Sequence, residues 1–202
     1  MTTVTVRRIG ALGLALAIAT TALGCSDTAR EGRSPAYLIL ESLEAASGAE
    51  PEELESTLQS DVSTENSVFE DPAVATFRLA MRDVGAEGAP TTPTTNNFIT
   101  LSRYRVEFRR TDGRNAQGVD VPYAFEGATT GTVGAAVAQV AFVIVRAQAK
   151  LEPPLANLTG GGQSITISTI ADVTFFGKDQ TGNEVSVRGS ISVNFADWAD
   201  PD

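Results

Sequence analysis

Hydrophobic and polar residues alternate most regularly near the end of the chain. In "EVSVRGSISVNF", residues 184–195, Val185, Val187, Ile191, Val193 and Phe195 interleave with Ser186, Arg188, Ser190, Ser192 and Asn194. A period of two with β-branched and aromatic side chains on one parity predicts a half-buried strand. Gly189 falls on the inward parity, where a missing side chain suits a bulge or a close neighbouring backbone. The preceding "SITISTIADVTFF" keeps the same period through Ile165, Ile167, Thr169, Ala171, Val173 and Phe175. Between the two, "GKDQTGNE" supplies the turn formers Gly177, Asp179, Gly182 and Asn183, so the pair is expected to form a hairpin.

Earlier segments repeat the pattern. "AVATFRLAMRD" sends Ala73, Ala75, Phe77, Leu79 and Met81 inward, and "FITLSRYRVEFRR" opposes Tyr104, Val106 and Phe108 to Arg103, Arg105, Glu107 and Arg109. "SPAYLILESLEAA" reads as an apolar opening strand, and "VPYAFEGATTGTV" as a short strand on each side of Gly127. "AAVAQVAFVIVRAQAKL" has the length and alanines of a helix. Its five β-branched residues between Val137 and Ala147 favour a strand, apolar on both faces around Phe142 to Val145. "AEPEELESTLQ", residues 49–59, is the one helix candidate, with Pro51 in the first turn and Glu52, Glu53 and Glu55 near its positive end. "GAEGAPTTPTTNN", residues 85–97, reads as an unstructured loop. Seven or so strands at such intervals predict an all-β chain, an antiparallel sandwich ahead of a closed barrel.

The head of the chain is of another kind. Arg7 and Arg8 precede an uncharged stretch from Ile9 to Leu23, the layout of an export signal. The stretch is shorter than the ~20 apolar residues of a spanning helix, which favours a cleaved segment. Ala22-Leu23-Gly24-Cys25 then resembles the lipobox of bacterial lipoproteins. The pattern differs in holding Ala22 three places before the cysteine, where that family usually has Leu. The resemblance implies cleavage before Cys25 and a diacylglyceryl group on its sulfur, and two or more acyl chains anchor stably. Ser26, rather than an acid, follows Cys25, which by the same resemblance implies the outer membrane of a double-membrane bacterium. The expected organisation is a signal over 1–24, an acylated Cys25 with a polar tether to 36, a β-sandwich over 37–198 and a polar tail over 199–202.

"DQTGN", at 179–183, followed by the alternating last strand, resembles the hairpin before the terminal strand of bacterial immunoglobulin-like domains. That resemblance implies a single immunoglobulin-like sandwich of about seven strands. No disulfide is available to it, because Cys25 is the only cysteine, so packing must hold it together.

Composition narrows the function. The formal charge of −10 becomes −12 once Arg7 and Arg8 leave with the signal, which disfavours nucleic acid as a partner. The chain has no histidine, so a Ser-His-Asp or Cys-His site cannot be assembled and the usual zinc ligands are missing. Carboxylate pairs remain as candidate glycosidase groups, but the acids from Glu41 to Glu87 read as a solvated face. Asp179, Asn183 and Glu184 are candidate oxygen ligands for calcium, with turn formation the simpler role. Gly160, Gly161 and Gly162 lack a following lysine and read as a turn. Arg103, Arg105, Arg109 and Arg110, with nearby Arg114, are a candidate patch for an anionic partner, against the plainer role of cross-strand ion pairing. Trp198 either caps the core or stacks on a sugar.

These readings predict a non-enzymatic, lipid-anchored envelope protein. Its role is structural, adhesive or protein-binding, through an Arg-lined patch or an apolar one along Phe142 and Ile144. Its partners are the membrane, through the anchor, and an envelope protein or polysaccharide; it needs no cofactor beyond the lipid. A carbohydrate-binding module is the alternative, and a carboxylate-dependent hydrolase comes after it.

Overall fold

The computed structural model describes residues 33–198. Cys25, the cleavage site Ala22 to Gly24, the tether up to residue 32 and the tail at 199–202 lie outside the described residues. Ten strands account for most of the described chain: β1 (Ala36–Ala45), β2 (Thr57–Asp61), β3 (Asp71–Met81), β4 (Gly85–Ala86), β5 (Ala89–Pro90), β6 (Ile99–Arg109), β7 (Phe125–Val133), β8 (Ala138–Val145), β9 (Ile167–Asp179) and β10 (Glu184–Ala196). One sheet has the order β1-β3-β8 and a second the order β2-β10-β9-β6-β7, while β4 and β5 form a two-residue hairpin outside both. Pairing is antiparallel except between β2 and β10, which run parallel.

The period-two segments become strands because each buries one parity. Ala73, Ala75 and Phe77 of β3, Val106 and Phe108 of β6, and Ile191, Val193 and Phe195 of β10 are all buried between the sheets. Phe77 meets Phe175 edge to face at 5.0 Å, and Phe142 meets Phe175 at 5.1 Å, so side chains from both sheets share one core. Every residue of that core lies between Leu38 and Phe195. Phe142 and Ile144, expected as part of an interaction patch, point into it and are buried; the outward positions of β8 belong to Ala141 and Val143.

Several expectations are corrected. The candidate helix at 49–59 is a turn followed by β2: Leu58 and Ser60 bury alternately while Glu50 to Glu55 stay exposed. A helix of that length is marginal by itself, whereas β2 gains a ladder on β10. β7 is one strand running through Gly127, not two. A Cβ at Gly127 would stand 2.4 Å from the Tyr104 ring, so the glycine lets the tyrosine lie across the neighbouring strand. The loop at 85–97 holds the β4–β5 hairpin and a 3₁₀ turn at Thr95–Asn97. In β6 the inward parity passes from Ile99 and Leu101 to Tyr104, Val106 and Phe108 through a bulge at Ser102. Beyond β8 the chain makes a short helix, α1 (Ala147–Lys150).

The register defines two ends. Ala36 pairs with Met81, and Ile99 with Asp179, at the end where the described chain begins. Asp71 pairs with Val145, Arg109 with Ile170, and Phe195 with Ile167 at the other. Strands of 10 to 13 residues separate those ends by roughly 33–43 Å at ~3.3 Å per residue.

Candidate functional surface

The arginines named from the sequence emerge on and beside the outer face of the five-stranded sheet. Arg103, Arg105 and Arg109 alternate along β6 and so share that face, while Arg110 stands in the loop beyond the strand. Each touches a carboxylate. Arg103 reaches Glu126 at 3.2 Å and lies over the Phe176 ring at 3.7 Å. Arg105 grips Glu107 at 2.6 Å and reaches Glu126 at 3.6 Å. Arg109 donates from Nε to Asp172 at 2.7 Å, and Arg110 pairs with Asp112 at 2.6 Å. Arg114, in the same loop, holds Asp120 at 3.2 Å.

Asp172 is the hub of this mesh. Besides Arg109 it accepts from Arg188 at 2.6 Å and from the Ser190 hydroxyl at 2.5 Å. Burial works to raise its pKa, but the bonds from Ser190, Arg109 and Arg188 outweigh it and hold the carboxyl below its ordinary range. Asp112 is lowered as well, first by its bond to Arg110. The face is therefore a lattice of matched charges between neighbouring strands, as the plainer reading of the arginines requires.

Asp179, Asn183 and Glu184 do not converge on a common point. Asp179 Oδ1 accepts from the Thr181 amide and hydroxyl and from the Asn183 amide, and Oδ2 accepts from Asn183 Nδ2 at 2.8 Å. Burial alone would raise its pKa, yet the bonds from Asn183 and Thr181 bring it down to about 2. Asn183 donates here and does not present its oxygen. Glu184 turns outward to Lys178 at 3.4 Å. The three residues close the β9–β10 turn, and among the described residues no group of three His, Cys, Asp or Glu is arranged to hold a metal.

Two shallow depressions mark the surface. One of about 280 Å³ is lined by Arg103, Phe176, Gly177, Lys178, Glu184 and Ser186, beside the bulge in β6. The other, about 150 Å³, lies among Ser47, Glu50, Glu53, Glu55 and Gln59. Trp198 is half-buried; its amide donates to Asp61 Oδ1 at 3.0 Å, and its indole Nε1 is shielded and has no partner among the described residues. That placement agrees with a capping role. Gly160 and Gly162 take positive φ in a turn, where the Gly160 amide donates to Asp197.

The strongest electrostatic feature escaped the sequence reading. Lys150 Nζ lies 2.7 Å from Asp71 Oδ1, with side-chain exposures of 1% and 0%. Asp71 also accepts from the Ser60 hydroxyl at 2.6 Å and the Gly48 amide at 2.9 Å. Burial, opposed by Lys150, pushes the Asp71 pKa upward. The cluster joins α1, β2, β3 and the turn after β1, and it is closed to solvent. The sequence holds two lysines, Lys150 and Lys178, and nothing local distinguishes the buried one; only its position at the end of an apolar run hinted at it.

Comparison with known proteins gives no relative: no protein-family model matches the chain, and no curated protein or solved structure is detectably similar to it.

Proposed function

We propose that this chain is a lipid-anchored cell-envelope protein in which an immunoglobulin-like sandwich presents a non-catalytic binding surface away from the membrane. Strand order supports the immunoglobulin-like reading. β1, β3 and β8 fit strands A, B and E of that fold, and β6, β7, β9 and β10 fit C, C′, F and G. β2 then extends the first strand across to the last one. Where antibody domains place an inter-sheet disulfide between B and F, this chain has the Phe77–Phe175 contact. Tyr104 on the C position packs against it at 6.2 Å. The lipobox resemblance at Ala22 to Cys25 supports the anchor and, with Ser26, the outer membrane.

One observation carries the binding role. Among the described residues nine large apolar side chains are exposed; Phe69, Val119, Tyr123, Leu151 and Ile165 stand on loops at the end of the sheets opposite Ala36, whereas Tyr37, Val84 and Val137 lie toward the end where the described chain begins. An anchored domain would hold the end opposite Ala36 outward. Charges on the loop between β6 and β7 are matched internally by Arg110–Asp112 and Arg114–Asp120, which suits a largely apolar protein partner. A sugar platform has less support. Tyr104 is buried, Tyr37 lies under Arg82 at 4.0 Å, and Tyr123 packs across Gly118.

A photo-crosslinking residue placed at Val119 in the exported protein tests this reading. The expected result is one discrete protein adduct in the envelope, absent when the probe sits at Ser168 on the arginine face. Adducts of equal yield from both positions, or from neither, contradict it.

A further inference from the structure

We propose that the free edge of β10 pairs with the same edge of a second copy, forming a two-fold antiparallel dimer centred on Ser186. β10 is bonded to β9 from Glu184 to Phe195, but β2 covers its other edge only from Ser192 to Ala196. From Glu184 to Ile191 that edge has no strand beside it among the described residues. An open edge offers unpaired N–H and C=O groups to another chain, and proteins commonly blunt it with a proline, a bulge or an inward charge. Here the stretch has none of these: its register on β9 is unbroken, it contains no proline, and its inward residues are Val185, Val187 and Gly189.

The other sheet margins are shorter or better protected: β2, at the end of the five-stranded sheet, is only five residues long. β1 carries a bulge at Glu41. β7 and β8 close on each other, with Thr129 Oγ1 donating to the Ala141 carbonyl at 3.2 Å. At the β1–β10 margin, Leu40 and Leu43 lie over Gly189, leaving Val185 and Val187 half-buried at the mouth of the core.

The sequence of the edge is complementary to itself in one register. With Ser186 on the two-fold axis, Glu184 of one copy stands opposite Arg188 of the other on the outer face. Val185 then stands opposite Val187 on the inner face, and both pairings occur twice. Opposite charges and β-branched pairs directly across an antiparallel ladder each stabilise it. Arg188 already leans on Asp172 at 2.6 Å, so its charge is held on the face where the second copy's Glu184 would arrive. A contact of five to seven residues per chain is smaller than a standard interface, so the dimer is expected to be weak, with Kd on the order of 10–1,000 μM.

The test uses the chain from residue 26 onward, which contains the whole two-sheet core and no native cysteine. It is therefore independent of the anchor and of any distal partner. Sedimentation equilibrium should show a reversible monomer–dimer exchange, and Glu184→Lys should weaken it about tenfold or more by facing Arg188 with a like charge. Under mild oxidation Ser186→Cys should cross-link to a covalent dimer, because its side chain meets its own copy at the axis. Ser192→Cys, on the same face but beside β2, should stay monomeric. A chain that remains monomeric at millimolar concentration overturns the proposal. So does a dimer indifferent to Glu184→Lys in which Ser186→Cys fails to cross-link.

Discussion

Phe77 of β3 and Phe175 of β9 meet between the two sheets with ring centroids 5.0 Å apart and planes at 85°. Both side chains are fully buried. The edge-to-face arrangement directs the positive rim of one ring at the negative face of the other. Phe142 and Tyr104 gather on the same Phe175 ring. With Cys25 the only cysteine of the chain, this aromatic cluster is the cross-sheet fastening.

Replacing either ring should therefore be costly. Phe77→Ala or Phe175→Ala is expected to lower stability by about 3–5 kcal/mol through lost burial and the cavity left behind. A double-mutant cycle on urea midpoints should return a coupling of about 0.5–1.5 kcal/mol for the pair. Additive effects would mean that the contact is incidental.

The Asp71–Lys150 pair should behave asymmetrically. Lys150→Met leaves Asp71 buried without its cation, and Asp71→Leu leaves Lys150 without its anion. Each single change is expected to cost about 3–5 kcal/mol, whereas the combined variant should recover much of that loss. Chemical denaturation of the three variants checks the ordering; a double variant no more stable than the worse single one would show that the pair contributes more than mutual neutralisation.

Acid should act partly through Asp179. Its folded pKa of about 2 lies below the ordinary 3.8, so folding favours the ionised form. That stability is fully present above about pH 4 and drains away as pH falls toward 2, amounting to about 2 kcal/mol for the group. Asp179→Asn should lose most of this at neutral pH and show a shallower decline between pH 4 and 2. Thermal melts across that range on both proteins provide the comparison.

Much of the architecture is legible in residue parity. Where a strand has one wet and one dry face, as in "EVSVRGSISVNF", the alternation states which side chains meet the core, and Val193 and Phe195 obey it. Legibility failed where the deciding interaction is distant. The Glu-rich run before β2 suggested a helix, because the ladder that rescues Leu58 as a strand residue lies on Val193, far along the chain. Gly127 resembled a break because the Tyr104 ring that requires it belongs to another strand. Lys150 and Asp71 are 79 residues apart, and only the closure of α1 over the start of β3 brings them together. On the candidate surface the sequence located the arginines but not their partners: Asp172 is an ordinary outward residue until Arg109 and Arg188 converge on it from either side.

The anchor is the claim on which location and orientation both rest. Mass spectrometry of the N-terminal peptide from protein extracted out of the native envelope tests it most directly. The expected result is a chain beginning at Cys25 with a diacylglyceryl group on its sulfur. A chain retaining Met1 to Gly24, or one cut elsewhere with Cys25 unmodified, would contradict it.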